Sequence, residues 1–249
     1  MPTQAAPPED DTVRGLRWIG WSLHLFLGID VAMIAALLLL TPLFLDVLAD
    51  RASQLLAENW LASLSLGVGV LEGAAGALYV IGFADVYGSR QRHGPDHARF
   101  VRQSFVYLCV TAGLVLGGDL VPSFTGPFLG VPGISRPIPS WALPPSVIIP
   151  GLRALFASLA LVFAVGELAT DAQRSRILVA MVLGVVGAVA WPGSIAYAVA
   201  SGGSPEGPVA ALVAGVVAGL GTSVISLLLL ARTIQDVRQS MEGTRQSAS

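Results

Sequence analysis

Residues 61–87 read LASLSLGVGVLEGAAGALYVIGFADVY, an apolar run with one carboxylate, Glu72, near its middle and glycines at 67, 69, 73 and 76 around it. A helix rises 1.5 Å per residue, so about 20 residues cross the ~30 Å of bilayer hydrocarbon, and this run is long enough to span. An acid at that depth costs at least ~2.5–3.5 kcal/mol, so such residues face a partner or a wet cavity. The run therefore decides the class of the fold and marks the first residue a function would have to use.

Composition extends that reading to the whole chain. Of 249 residues, 54% are hydrophobic and 12% charged, with a mean hydropathy of +0.72. Soluble domains carry roughly a quarter of charged residues, so the chain reads as an integral membrane protein. Its net charge of −2 offers no field for nucleic acid. All 14 basic residues are arginine, so no lysine exists to act as a Schiff-base or general-base group. The single Cys109 lies in an apolar segment and supports neither a disulfide framework nor a zinc or iron–sulfur site.

Along the chain, residues 1–13 are polar and proline-containing and read as a disordered tail. Residues 14–232 form one domain with six spans, at about 18–45, 61–87, 100–121, 151–169, 177–200 and 209–231. The first is too long for a signal-peptide core. Between the third and fourth spans, residues 122–150 hold eight of the 16 prolines, and that spacing predicts a Pro/Gly-rich outer loop instead of helix. Residues 233–249 read as a polar tail. The expected fold is all-α, a six-helix transmembrane bundle.

Threading follows from the arginines. With the N-terminus inside, inner segments collect Arg14, Arg17, Arg90, Arg92, Arg99, Arg102, Arg174, Arg176, Arg232, Arg238 and Arg245, while outer ones hold Arg51, Arg136 and Arg153. The bias places both termini in the cytoplasm of a cell-membrane protein. Arg90, Arg92, Arg99 and Arg102 would anchor the topology and meet anionic lipid headgroups.

Two carboxylates stand where neither can reach an interface. Counting from Trp18 and from Leu61, Asp30 lies about 18 Å and Glu72 about 16 Å into the hydrocarbon from opposite faces. They share nearly one depth on consecutive helices, and no span carries an arginine at that depth, Arg102 and Arg153 standing at span ends. Such a pair suits a proton, a cation, or a charge from another subunit. His24, about two turns inside, is a candidate proton relay. Gly69, Gly73 and Gly76, and likewise Gly215 and Gly219, recur at packing spacing, so Glu72 is expected to point into a tight helix–helix seam. Pro192 and Gly193 predict a break in the fifth span. His93 and His97 are four apart, but Gly94-Pro95 between them works against a shared metal site.

No P-loop, HExxH, GxSxG or magnesium-type carboxylate motif is present, and no catalytic residue, cofactor or metal is predicted. The leading expectation is a non-enzymatic accessory or scaffold component of a membrane assembly. Its partners would be the lipid bilayer, anionic lipids, and other membrane subunits or further copies of the chain, with no nucleic acid. The alternative is a small proton- or cation-coupled transporter or channel using Asp30 and Glu72. An intramembrane enzyme acting on lipid or quinone ranks third.

Overall fold

The computed structural model describes residues 10–47, 51–125, 143–200 and 206–246. They form six helices: α1 (Asp11–Val47), α2 (Arg51–Ser89), α3 (Pro95–Thr125), α4 (Leu143–Val165), α5 (Asp171–Ala200) and α6 (Glu206–Gln246). A single 3-10 turn, Arg90–His93, links α2 to α3. No strand occurs among the described residues. Five of the helices contain stretches long and apolar enough to cross a membrane: Asp11–Ala36, Gly67–His93, Ile148–Val165, Asp171–Ala190 and Val217–Gly243. Large apolar side chains such as Val70, Val106, Val182, Val217 and Leu228 point outward. In water that surface would drive aggregation, whereas hydrocarbon solvates it.

Consecutive helices pack against one another except α2 and α3, and the first helix also meets the last. Helix α1 packs between α2 and α6, α5 packs between α6 and α4, and α3 leans on α4. Helices α2 and α3 share few contacts, among them the Tyr87–Phe105 ring pair, and Tyr79 reaches from α2 to donate to the Ala157 carbonyl of α4 at 3.0 Å. The buried apolar cluster gathers one end of every helix. It holds Leu16 and Ile19 of α1, Phe83 and Val86 of α2, Val101 of α3, Leu161 and Val165 of α4, Ile177 of α5, and Ile234 and Val237 of α6. The N-terminal halves of the odd helices thus meet the C-terminal halves of the even ones.

Two seams are set by glycine. A Cβ at Gly15 would sit 2.6 Å from the Gly82 carbonyl oxygen, and one at Gly82 equally 2.6 Å from that of Gly15. In the α5/α6 seam a Cβ at Gly187 would fall 2.8 Å from the Gly219 carbonyl, and one at Gly215 would run into Ser194. Hydroxyls finish these contacts by donating to carbonyls across the seams: Ser22 to Ala75 at 2.7 Å, Ser104 to Ala160 at 2.7 Å and Ser226 to Ala180 at 2.6 Å.

Several boundaries differ from the sequence reading. Asp10, Thr12 and Val13, expected as disordered tail, are buried, with the Asp10 carboxylate capping α1 by accepting from the Thr12 amide at 3.0 Å. Helix α4 starts at Leu143, inside the stretch expected to be loop. Pro144 and Pro145 stand in its first turn, where a missing N–H costs nothing, and only Pro150 lies in the helix interior. Residues 126–142 lie outside the described residues. Residues 233–246, expected as tail, continue α6, because Ile234 and Val237 bury against the core. Helix α5 runs from Asp171 to Ala200 through Pro192 and Gly193 without a break, since one absent donor removes a single bond from a long ladder.

The seams give a direct check. Gly15→Ala and Gly82→Ala are each expected to destabilise the bundle by about 1–3 kcal/mol, as overpacking does, in reversible unfolding from detergent micelles. Gly69→Ala, with nothing within 4 Å of its would-be Cβ, should lose nothing in the same assay and gain up to ~1 kcal/mol from helix propensity.

Candidate functional site

Polar chemistry collects in two places, the middle of the helices and the end of the bundle that holds the N-terminus. In the middle, Asp30 sits half-buried on α1, and its Oδ2 accepts a hydrogen bond of 2.5 Å from Ser223 Oγ of α6. A short bond of this kind satisfies one oxygen of a carboxyl held away from water. Glu72 is exposed on α2, and Cβ atoms at Gly69, Gly73 and Gly76 would meet nothing within 4 Å. The tight seam expected at these glycines is therefore not formed among the described residues. Helix α2 makes its close approach one and a half turns further on, at Gly82. Gly215 and Gly219 do lie in a seam, against α5.

At the N-terminal end, α1 is bolted to α2 and to the 3-10 turn by a belt of charges. Arg14 donates through Nε to Asp85 Oδ2 at 2.8 Å and through Nη2 to Oδ1 at 2.9 Å, a two-pronged fork, and also reaches Asp11 at 3.1 Å. Arg92 bridges Asp10 at 3.5 Å and Asp11 at 3.4 Å. Behind the belt runs a chain of hydroxyls and rings. Thr12 Oγ1 lies 2.6 Å from Ser89 Oγ and 3.0 Å from His93 Nε2, and the His93 ring meets that of His97 edge to face at 5.2 Å. His97 is 2% exposed, and neither ring nitrogen has a hydrogen-bond partner. Burial, with the neighbouring His93 adding to it, pushes the His97 imidazole down to about 4.

The remaining sequence candidates fall around this end. Arg90 lies over the Tyr87 ring at 4.0 Å and donates to the Tyr87 carbonyl at 2.7 Å. Arg99 and Arg102 line an open hollow of about 480 Å³ with Gln91, Gly94, Pro95 and Ala98. His24 is exposed, and its Nδ1 donates to the Gly20 carbonyl at 2.7 Å. The described residues gather no group of three or more His, Cys, Asp or Glu side chains that could hold a metal. Compared with known protein families, with curated proteins and with solved structures, the chain shows no match.

Sequence reasoning missed the belt because its members were divided among a presumed tail with Asp10 and Asp11, the second span with Asp85, and the basic segment with Arg92 read as a topology anchor. The available signal was the run Asp10-Asp11 upstream of Arg14, a carboxylate-rich start to an apolar helix.

His97 yields a pH dependence. Its folded-state value near 4 lies below the ordinary 6.5, so the unfolded chain takes up the proton first as pH falls. Stability is full above about 6.5, declines between 6.5 and 4 and levels off below, with the full gap corresponding to on the order of 3 kcal/mol. His97→Phe should flatten that part of the stability–pH curve in unfolding followed by circular dichroism, while the wild type keeps its slope.

Proposed function

We propose that the chain is a non-enzymatic accessory or scaffold subunit of a membrane assembly, crossing a cell membrane six times with both termini in the cytoplasm. The observation that carries this reading is the middle of α2, where exposed Glu72 stands among Gly69, Gly73 and Gly76, whose would-be Cβ atoms have none of the described residues within 4 Å. Other small-residue faces, at Gly15, Gly82, Gly187 and Gly215, are filled by a neighbouring helix of the same chain. A glycine face with a carboxylate among its residues is poorly solvated by lipid and suits a transmembrane helix from another chain, with small residues to approach the glycines and a polar or basic group to meet the acid. The charge belt at the N-terminal end, rich in arginine, fits the cytoplasmic side and anionic headgroups near Arg99 and Arg102.

A second reading, proton or cation transport, is favoured by one observation, the half-buried Asp30 bonded to Ser223 between α1 and α6. Carboxylates in such positions serve as relays in pumps and transporters.

Affinity purification from native membranes, followed by native gels, separates the two. A defined complex should be recovered with the wild type and lost with Gly73→Leu, which fills the open face while leaving the monomer folded. Glu72→Gln should weaken it by on the order of 1 kcal/mol, a usual size for a polar contact between membrane helices. A wild-type chain that runs alone, yet carries a liposome proton or cation flux abolished by Asp30→Asn, would replace the scaffold reading with transport.

A further inference from the structure

Helices α1 and α6 part slightly near the N-terminal end and leave a cavity of about 260 Å³, lined by Leu16, Arg17, Gly20, Trp21, His24, Ala231, Ile234, Gln235 and Arg238. Its floor is dry, since Leu16, Ala231 and Ile234 are almost fully buried. Its walls are polar and cationic: Arg17 comes from α1, and Gln235 and Arg238 come from successive positions of α6 facing it. Trp21 forms the rim, 54% exposed and edge to face with Trp18 at 5.2 Å.

Three features fix what such a hollow accepts. Two guanidinium groups converging on a small space favour an anion with several acceptor oxygens, and a phosphodiester matches that geometry. Arg238 Nε is enclosed and makes no hydrogen bond; the Glu242 carboxylate nearest to it stands at 3.6 Å, beyond bonding range. Arg238 thus shares an ion pair with Glu242 on its own helix and brings the further N–H groups of its guanidinium to the cavity wall. Depth supplies the last feature. Arg17 directly precedes the apolar run, and the Trp18–Trp21 pair is the kind of aromatic couple that sits at headgroup level. Above the cavity, Val31 of α1 and Ile225 and Leu228 of α6 turn outward, a surface on which acyl chains can lie.

We infer that the α1/α6 cavity binds the phosphate of an anionic phospholipid, with Arg17, Arg238 and Gln235 as donors and the acyl chains running up past Trp21 and His24. The volume suits a phosphate and a small headgroup, being below the ~300–1,000 Å³ of pockets that engulf a whole small molecule. A cationic choline or ethanolamine headgroup would be placed against two arginines, so anionic lipids are preferred to zwitterionic ones. The site is separate from the hollow at Arg99 and Arg102, and it does not depend on which protein partner α2 meets.

The test uses the full chain in nanodiscs of phosphatidylcholine with or without phosphatidylglycerol, read by native mass spectrometry of retained lipid and by thermal unfolding. Phosphatidylglycerol should be retained preferentially and raise the unfolding temperature. Arg17→Gln and Arg238→Gln should each weaken retention about fivefold, the effect of one arginine near a membrane surface. The double variant should lose the preference, and Arg232→Gln, an exposed arginine of α6 outside the cavity, should behave as wild type. Equal retention of the two lipids by the wild type overturns the inference and needs no variant. So does a double variant of native helicity that keeps the preference, and so does full protection by inorganic phosphate alone, which would make the cavity a site for soluble phosphate esters.

Discussion

The bundle depends on backbones touching at two crossings, Gly15 against Gly82 and Gly187 against Gly219. In hydrocarbon no hydrophobic force draws helices together, so their association rests on close van der Waals contact and on polar bonds between them. Glycine supplies the first by removing the Cβ that would hold two backbones apart. The second comes from hydroxyls that use the spare lone pair of carbonyls already bonded within a helix: Ser22, Ser104 and Ser226 each reach an alanine carbonyl on the neighbouring helix. Alanine is the acceptor residue in all three cases, because its small side chain leaves its own carbonyl accessible. Together these contacts join α1 to α2, α3 to α4 and α5 to α6, while α6 meets α1 through the Ser223–Asp30 bond and Ile234 beside Gly20.

The charge belt has a different physical basis and secures a different part of the molecule. Arg14–Asp85 is a fork with both prongs under 3 Å, and it ties the first turn of α1 to the last turns of α2. Each such pair at an exposed end contributes little alone, but Asp10, Asp11, Arg14, Asp85 and Arg92 form a network in which one ordered side chain positions the next. The network also shields what lies behind it. Thr12, Ser89 and His93 are linked in a chain, and His97 remains neutral in a space that admits no charge.

The helical membrane class was legible because long apolar runs are a strong signal, and five of the helices carry one. Element ends were less legible, for reasons that differ from place to place. Residues 233–246 look polar by composition, yet Ile234, Val237 and Met241 recur on one helical face, and that periodicity was the better guide to the continuation of α6. The start of α4 was hidden by counting prolines without asking where each would fall, since two of its three occupy the first turn. Packing was the least legible property. The Gly69, Gly73, Gly76 spacing and the Gly215, Gly219 spacing look alike in sequence, but only the second is filled within the chain. Nothing in a single helix says which of its small-residue faces a neighbour will occupy.

That difference between equivalent-looking faces bears on the two acids. Asp30 lies on the side of α1 that meets α6, where Ser223 provides a donor, so its cost in lipid is offset inside the monomer. Glu72 is exposed in the middle of α2, among glycines whose would-be Cβ atoms meet none of the described residues. The two carboxylates thus occupy unlike environments, one half-buried and bonded between helices and one exposed. A transport site needs its charged groups to line a shared path, whereas an assembly surface needs a specific polar group presented outward on a face that another backbone can approach closely. Helix α2 offers such a group at Glu72 with its flanking glycines, while its Ala75, Tyr79 and Gly82 are committed to α1 and α4.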